Sequence, residues 1–347
     1  MNYPMNAWYV AAMDDEVPPG KLLPRTFLGE NVVLFRGADG TPKALVDQCP
    51  HRFAPLSAGK LCEGVVQCGY HGLRFDSTGA CVHNPHGAAP KAAFVRAFPV
   101  REVGRLLWIW MGEPAQADEA LIPDFSSVTN APVDATMRGY LPTACETSLL
   151  VDNILDLSHV DFLHPTTLGS GALSKVPAVV EDLSARSLKV SWISSGDLAP
   201  PVFDGHLRQQ GQLTDQWTEV TWTAPASMHL AVGATLQGEP RSQGVSSWNL
   251  HLGTPEGPGK THYWYWSSRN FAISPQENAF IHAIVADVFK NEDKMMLEAQ
   301  QSRIGKADFW DLKPVLLAPD AAAVRARRKL KALVEQDAQR KPAVVAT

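Results

Sequence analysis

Cys49-Pro50-His51-Arg52 and Cys68-Gly69-Tyr70-His71-Gly72 are the two stretches on which the reading of this chain turns. Each offers one thiol and one imidazole, in the order C-x-H, a gap of 16 residues, then C-x-x-H. Two Cys and two His suffice for a tetrahedral zinc ion, but zinc fingers usually group like ligands, C-x-x-C first and paired His later. Here each loop carries one of each. That alternation suits a [2Fe–2S] cluster in which one iron takes both Cys and the other both His. Pro50, Pro55, Gly59, Gly69 and Gly72 suit loops that turn sharply and bring their backbone close to an inorganic group.

The residues around these loops read as short strands and turns. Asn31–Arg36 is a β-rich run, followed by the turn Gly37-Ala38-Asp39-Gly40 and by a second run at Ala44–Asp47. Residues 72–75 and 79–82 flank a turn at Asp76–Thr78, and Leu106–Met111 closes the region as an apolar strand. The polar, proline-bearing stretch Gly112–Asp118 reads as a linker, which divides the chain into domains at 1–117 and 118–347. Cys62, Cys81 and Cys145 have no His at metal spacing and read as small apolar core residues. His83 and His86 read as polar residues of a turn.

Beyond residue 120 the pattern becomes α+β. Leu188–Ser194, Trp217–Thr223, Gly244–Leu252 and His262–Ser267 are tryptophan-bearing alternating runs, the signature of an antiparallel sheet. A helix is expected over Glu146–Pro165, apolar enough to be buried. On it Asn153, Asp156 and His159 recur every third residue and share one side. Pro165 biases its predecessor away from the α region, so the helix should fray and let His164 swing toward the same side. A second helix starts at Ser274-Pro275-Gln276-Glu277, with an N-cap serine, proline at N1 and glutamate at N3. Its apolar stripe is Phe280, Ile281, Ile284, Val285, Val288, Phe289 and Met296. Asp293 falls inside that stripe and Glu292 nearly so; a carboxylate there must be paired or ligate a cation. Two His and one carboxylate with open positions are the donor set of non-haem Fe(II) oxygenases. Such an iron needs a nearby one-electron donor, and the first domain offers one.

With both motifs in hand, the chain resembles the oxygenase components of Rieske non-haem iron aromatic oxygenases, in particular the vanillate O-demethylase and dicamba monooxygenase group. The likeness runs through NAWYVAA, CPHRFAPLS, CGYHGLRFD, CVHNPHG, LLVDNILDLSHVDFLH, SSRNF and EDKMMLEAQQ. It implies an N-terminal all-β Rieske [2Fe–2S] domain and an α+β catalytic domain whose antiparallel sheet is flanked by helices, a helix-grip, START-like fold. It implies that Cys49, His51, Cys68 and His71 hold the cluster and that His159, His164 and Asp293 hold iron. Asp156 is similar to the family's bridging acid between subunits, and Asn153 to an amide beside the iron. High-potential relatives carry a loop–loop disulfide where this chain has Ala54 and Tyr70, so a low-potential cluster is expected. His229 and His251 stand at positions similar to polar substrate contacts. Ile284 replaces a substrate-contacting tryptophan of the dicamba-demethylating members, which implies a different pocket.

The resemblance further implies a homotrimer with C3 symmetry, in which the cluster of one subunit serves the iron of the next. NADH-derived electrons would arrive from a separate reductase, with or without a ferredoxin; no G-x-G-x-x-G fingerprint follows a strand here. The expected reaction uses O2 to oxidise the methyl or methoxy group of a small aromatic acid. Ring hydroxylation or N-dealkylation by the same centres, a non-catalytic Rieske electron carrier and a zinc-stabilised binding module are the alternatives.

Composition fits this reading. The 347 residues carry 31 Lys and Arg against 36 Asp and Glu, a net charge of −5, with 45% hydrophobic and 19% charged residues. That is globular and mildly acidic, without the basic footprint of a nucleic-acid binder. Five cysteines and no basic leader predict reduced thiols and a cytoplasmic protein; no apolar run predicts a membrane span. The basic run Arg325, Arg327, Arg328, Lys329 and Lys331 reads as a solvated helix face, with docking of an acidic reductase as the alternative.

Overall fold

A computed structural model describes residues 3–169 and 171–339. The chain forms two compact units. The first takes its described residues from Met1–Pro123, Thr254–Gly257 and Leu333–Thr347, the second from Asp124–Gly253 and Pro258–Ala332.

Unit 1 is built from three small antiparallel sheets. One pairs Trp8–Met13, Leu106–Trp110 and Val100–Val103; a second pairs Leu23–Phe27, Glu30–Arg36, Pro42–Val46 and Ala97–Phe98. The third pairs Lys60–Cys62, Val65–Gln67, Arg74–Phe75 and Cys81–His83. Three two-residue turns, Leu28-Gly29, Glu63-Gly64 and Gly104-Arg105, set the hairpin registers. Both central residues have positive φ in each, the twist that matches paired strands. Val33, Phe35, Leu45, Leu56, Val66 and Phe75 form a buried hydrophobic core, and Cys49 and Cys68 belong to the same cluster. The two thiols therefore sit on the roof of a packed hydrophobic base.

Unit 2 contains one seven-stranded antiparallel sheet. Its strands are β1 (Thr136–Tyr140), β2 (Val179–Ser184), β3 (Ser187–Leu198), β4 (Leu213–Thr223), β5 (Ser227–Leu236), β6 (Val245–Gly257) and β7 (Lys260–Arg269). Their spatial order is β1-β7-β6-β5-β4-β3-β2, so β2 to β7 form a meander and β1 returns to pair with the last strand. Short connections between consecutive strands make this the direct topology for alternating runs. Trp192, Trp222, Trp264 and Trp266 are almost wholly buried in it.

The helices of this unit depart from the simplest periodic reading. The expected helix over Glu146–Pro165 is α1 (Thr147–Leu155), then a 3-10 turn at Leu157–His159, then α2 (Val160–Leu163). Asp156 breaks it: its backbone leaves the helical region at φ −128° and ψ 84°, and its carboxylate accepts from the Ser158 backbone N–H. Thus Asn153, Asp156 and His159 do not lie on one continuous helix. The end at Leu163, with His164 outside the helical region, agrees with the effect expected of Pro165.

The second expected helix is α3 (Pro275–Val288), capped as read by Ser274, whose hydroxyl accepts from the Glu277 backbone N–H. A single π turn at Phe289–Asp293 joins it to α4 (Lys294–Ile304). The wider turn inserts one residue into the register. Val288, Phe289, Asp293 and Leu297 are consequently buried, while Met296 is half exposed. The anticipated stripe also fails earlier, for Phe280 is 68% exposed and Ile284 38%. The last helix, α5 (Ala321–Gln339), carries the basic run. Among the described residues no helix is long and apolar enough to cross a membrane.

Candidate metal centres

The two Cys–His loops of unit 1 are twins in backbone. The Cys49 N–H donates to Ala54 O at 2.9 Å and the Phe53 N–H to Cys49 O at 2.9 Å. In the second loop the Cys68 N–H donates to Leu73 O at 2.8 Å and the Gly72 N–H to Cys68 O at 3.1 Å. Each loop thus closes on the fourth and fifth residue after its cysteine, and the fourth is left-handed in both, Phe53 at φ 59° and Gly72 at φ 76°. The histidine is placed differently, two residues after Cys49 and three after Cys68.

This wrap puts both thiols inside and the imidazoles further out. Cys49 and Cys68 are 1% and 2% exposed, and the His51 and His71 rings lie 4.5 Å apart between centroids. Burial pushes the Cys49 thiol above its ordinary range, and the neighbouring Cys68 adds to the shift. His71 Nδ1 is buried and has no hydrogen-bond partner among the described residues. A buried nitrogen without a partner is costly unless a ligand takes it. Two adjacent buried thiols facing two imidazoles fit a [2Fe–2S] group held by four side chains. The close backbone approach is explicit at Gly59, where a Cβ would stand 1.9 Å from Gln67 O.

In unit 2, His159, His164 and Asp293 converge, one ligand atom of each lying within 4.8 Å of the others. His164 Nε2 is 3.2 Å and His159 Nε2 3.6 Å from Asp293 Oδ1. The other nitrogen of each ring is committed. His159 Nδ1 donates to the Asp156 backbone carbonyl at 2.5 Å, and His164 Nδ1 to Glu292 Oε2 at 2.7 Å. Neither acceptor can donate, so each ring holds a proton on Nδ1, which leaves Nε2 as the atom that could ligate a metal. Asn153 Nδ2 reaches Asp293 Oδ1 at 3.3 Å and lies 3.4 Å from His159 Nε2. Burial opposes an imidazolium at His164, but Asp293 and then Glu292 outweigh it and raise the ring above its usual range. Burial likewise opposes charge on Asp293, yet its contacts with His159 and His164 hold the carboxyl below the usual carboxylate range. Two imidazole nitrogens and an anionic oxygen around one point fit a divalent iron with open positions.

Periodicity left Glu292 and Asp293 as equal candidates. Asp293 faces the common point, and Glu292 backs His164 from outside. The π turn, which no residue pattern announced, is what lets two consecutive carboxylates reach the same ring. Asp156 lies nearby with its carboxylate Oδ1 accepting from the Ser158 N–H at 3.1 Å and the Ser158 hydroxyl at 2.6 Å.

The two sheet histidines do not form one site. Met228 pairs with His251 and His229 with Leu250, so the imidazoles project from opposite faces. His251 faces the iron side: its ring lies 5.5 Å from that of Phe289 in the π turn, and its Nδ1 pairs with the Tyr263 hydroxyl at 2.6 Å. Its Nε2 is buried without a partner among the described residues, and burial lowers the ring to about 4, so it is neutral. His229 instead approaches Phe125 on the other face, 6.2 Å between centroids. A side chain missed by sequence reading shares the face of His251. Asn249, two residues earlier, accepts at Oδ1 from the Ser267 hydroxyl at 2.5 Å and the Ser247 hydroxyl at 3.3 Å. Ile284, placed by analogy against substrate, lies on α3 one turn beyond Ile281, which packs against Phe203 and Phe271.

The basic run is largely consumed within unit 2. Arg327 forms a bidentate pair with Asp152, both contacts of its Nε at 3.0 Å, and its guanidinium covers the Phe309 ring at 4.2 Å. Arg325 and Lys329 both pair with Asp182. Asp152 directly precedes Asn153, so this clamp fixes the helix that carries the amide.

Two family models match separate parts of the chain. A Rieske [2Fe–2S] domain model matches residues 7–99, and the vanillate O-demethylase oxygenase C-terminal domain matches 143–336. The oxygenase component of dicamba O-demethylase from Stenotrophomonas maltophilia is 38% identical, over 97% of this chain and 100% of that one. The oxygenase component of chloroacetanilide N-alkylformylase from Rhizorhabdus wittichii is also 38% identical, over 98% of each. The crystal structure of dicamba monooxygenase bound to 3,6-dichlorosalicylic acid superposes with a TM-score of 0.90 at 37% identity, covering 97% of this chain and 99% of that one.

Proposed function

The chain belongs to the Rieske non-haem iron oxygenases with a vanillate O-demethylase type of catalytic domain, and from that premise we propose that it O-demethylates a small aromatic acid, or hydroxylates its methyl group. It is the terminal oxygenase of a multicomponent system: a separate reductase, directly or through a ferredoxin, supplies electrons from NADH. For a methoxybenzoate the methyl carbon is hydroxylated with one atom of O2, the other leaves as water, and the hemiacetal collapses to a phenol and formaldehyde. The single observation that carries the reading is the convergence of His159, His164 and Asp293 with both Nδ1 atoms tied off.

The proposed division of labour follows from the residues. Cys49, Cys68, His51 and His71 hold the cluster, and His159, His164 and Asp293 hold the iron. When bound, the cluster supplies single electrons and the iron the means to activate O2. Asp156 O and Glu292 keep the two ring protons on Nδ1. Asn153 steadies Asp293 through its amide N–H, and neutral His251 offers a buried nitrogen on the sheet face beside the π turn. Asp156, whose Oδ1 is held by the Ser158 N–H and hydroxyl, is proposed to bridge to the next subunit of a C3 homotrimer in the cytoplasm. N-dealkylation is the second reading, favoured by the equal identity to the N-alkylformylase component.

The test is a screen of methoxybenzoates, methylaromatic acids and N-alkyl aromatics for formaldehyde release, using a generic reductase. Iron analysis should give about three Fe per chain, against about two for an electron carrier. Absence of a Rieske-type EPR signal, or full activity in His159→Ala, would overturn the reading.

A further inference from the structure

We propose that Glu292 is a positioning residue of the iron site: it holds the His164 imidazole as an Nε2 ligand by accepting its Nδ1 proton. The inference rests on the reading of His159, His164 and Asp293 as iron ligands. Three observations carry it. The contact is short, 2.7 Å from His164 Nδ1 to Glu292 Oε2, and joins a ring that is 1% exposed to a carboxylate side chain that is 31% exposed. The opposite edge of the same ring faces Asp293, with Nε2 at 3.2 Å from Oδ1. Finally, the two carboxylates are the last two residues of the π turn Phe289–Asp293, the one departure from α geometry between Pro275 and Ile304.

These facts explain one another. A single ring gripped on both edges by consecutive residues needs their side chains to diverge around it while the chain advances by one residue. The π turn supplies that spread, and such turns persist where function repays the weaker hydrogen bonding. The two histidines are thereby held unequally. His159 rests on a backbone carbonyl, which cannot be removed by substitution, whereas His164 depends on a replaceable side chain. Outer partners of metal-bound histidines fix ring orientation and tautomer, and their loss costs about 10–100-fold in metal affinity.

The experiment titrates iron-depleted protein that keeps its Rieske cluster with Fe(II) under anaerobic conditions. Wild type is compared with Glu292→Ala, Glu292→Gln and, as reference, Asp293→Ala, with the Rieske visible spectrum as a check on folding. Expected is a loss of about 10–100-fold in Fe(II) affinity for Glu292→Ala and recovery to within about threefold for Glu292→Gln, whose amide oxygen still accepts the proton. Glu292→Ala binding as tightly as wild type, or Glu292→Gln falling as far as Glu292→Ala, would overturn the inference. Failure of wild type itself to bind Fe(II) would instead remove the iron-site reading beneath it.

Discussion

The two candidate metal centres of this chain are encoded in opposite ways. The Cys–His loops of unit 1 are local: each is six residues long, closes on itself through backbone hydrogen bonds, and needs only a hydrophobic base below it. The site of unit 2 is assembled from afar. Its ligands span residues 159 to 293 and come together only after a seven-stranded sheet and a π turn are in place. A local site is secured by backbone shape, and an assembled one by side chains that hold other side chains.

That contrast can be broken most sharply by removing one centre at a time. Asp293→Ala should lower iron from about three to about two per chain and abolish turnover, with the Rieske EPR signal unchanged. Cys68→Ser should do the reverse, leaving about one iron per chain. Loss of both centres in either variant would show that they are not independently built. Next in size is Gly59→Ala, which drives a methyl into Gln67 O and should cost about 3 kcal/mol in chemical denaturation. Equal stability would mean that the loop base yields.

A comparable effect is expected from pH in unit 2. Burial lowers His251 from 6.5 to about 4, so between those values the unfolded chain takes up a proton that the folded chain refuses. Stability should therefore fall as pH drops through that window, by about 3 kcal/mol in all, and this component should be absent above it. His251→Gln should flatten the slope; an unchanged slope would assign it elsewhere. The smallest effect returns to the loops. Gly72→Ala should cost about 1–2 kcal/mol, because a left-handed backbone disfavours an L side chain and the added Cβ would stand 3.1 Å from Pro85 Cγ. The same loop position in the twin is already Phe53, so a loss well above that would mean the twins are not equivalent.

The same contrast decides what could be read from the sequence. The cluster loops were legible because their ligands lie within four residues of each other and glycines mark the turns. His164 was legible through Pro165, and the α3 cap through Ser274 and Glu277, since both are nearest-neighbour effects. What failed was the extrapolation of a single period. Asp156 broke the helix expected to align it with Asn153 and His159, because its carboxylate prefers the adjacent Ser158 groups. The π turn moved the buried face from Met296 to Leu297 and brought in Glu292, a result of packing that no local preference records. His229 and His251 were coupled by analogy, yet strand register, set by hairpins elsewhere in the sheet, sends them to opposite faces.

The twin loops carry a last consequence, for how the protein matures. Their closing hydrogen bonds run from backbone to backbone within each loop, so the shape of the cradle does not depend on a side chain that the cluster would occupy. Apoprotein stripped by a mild chelator should therefore recharge with iron and sulfide without being unfolded, and failure to recharge would show that the cluster shapes its own cradle.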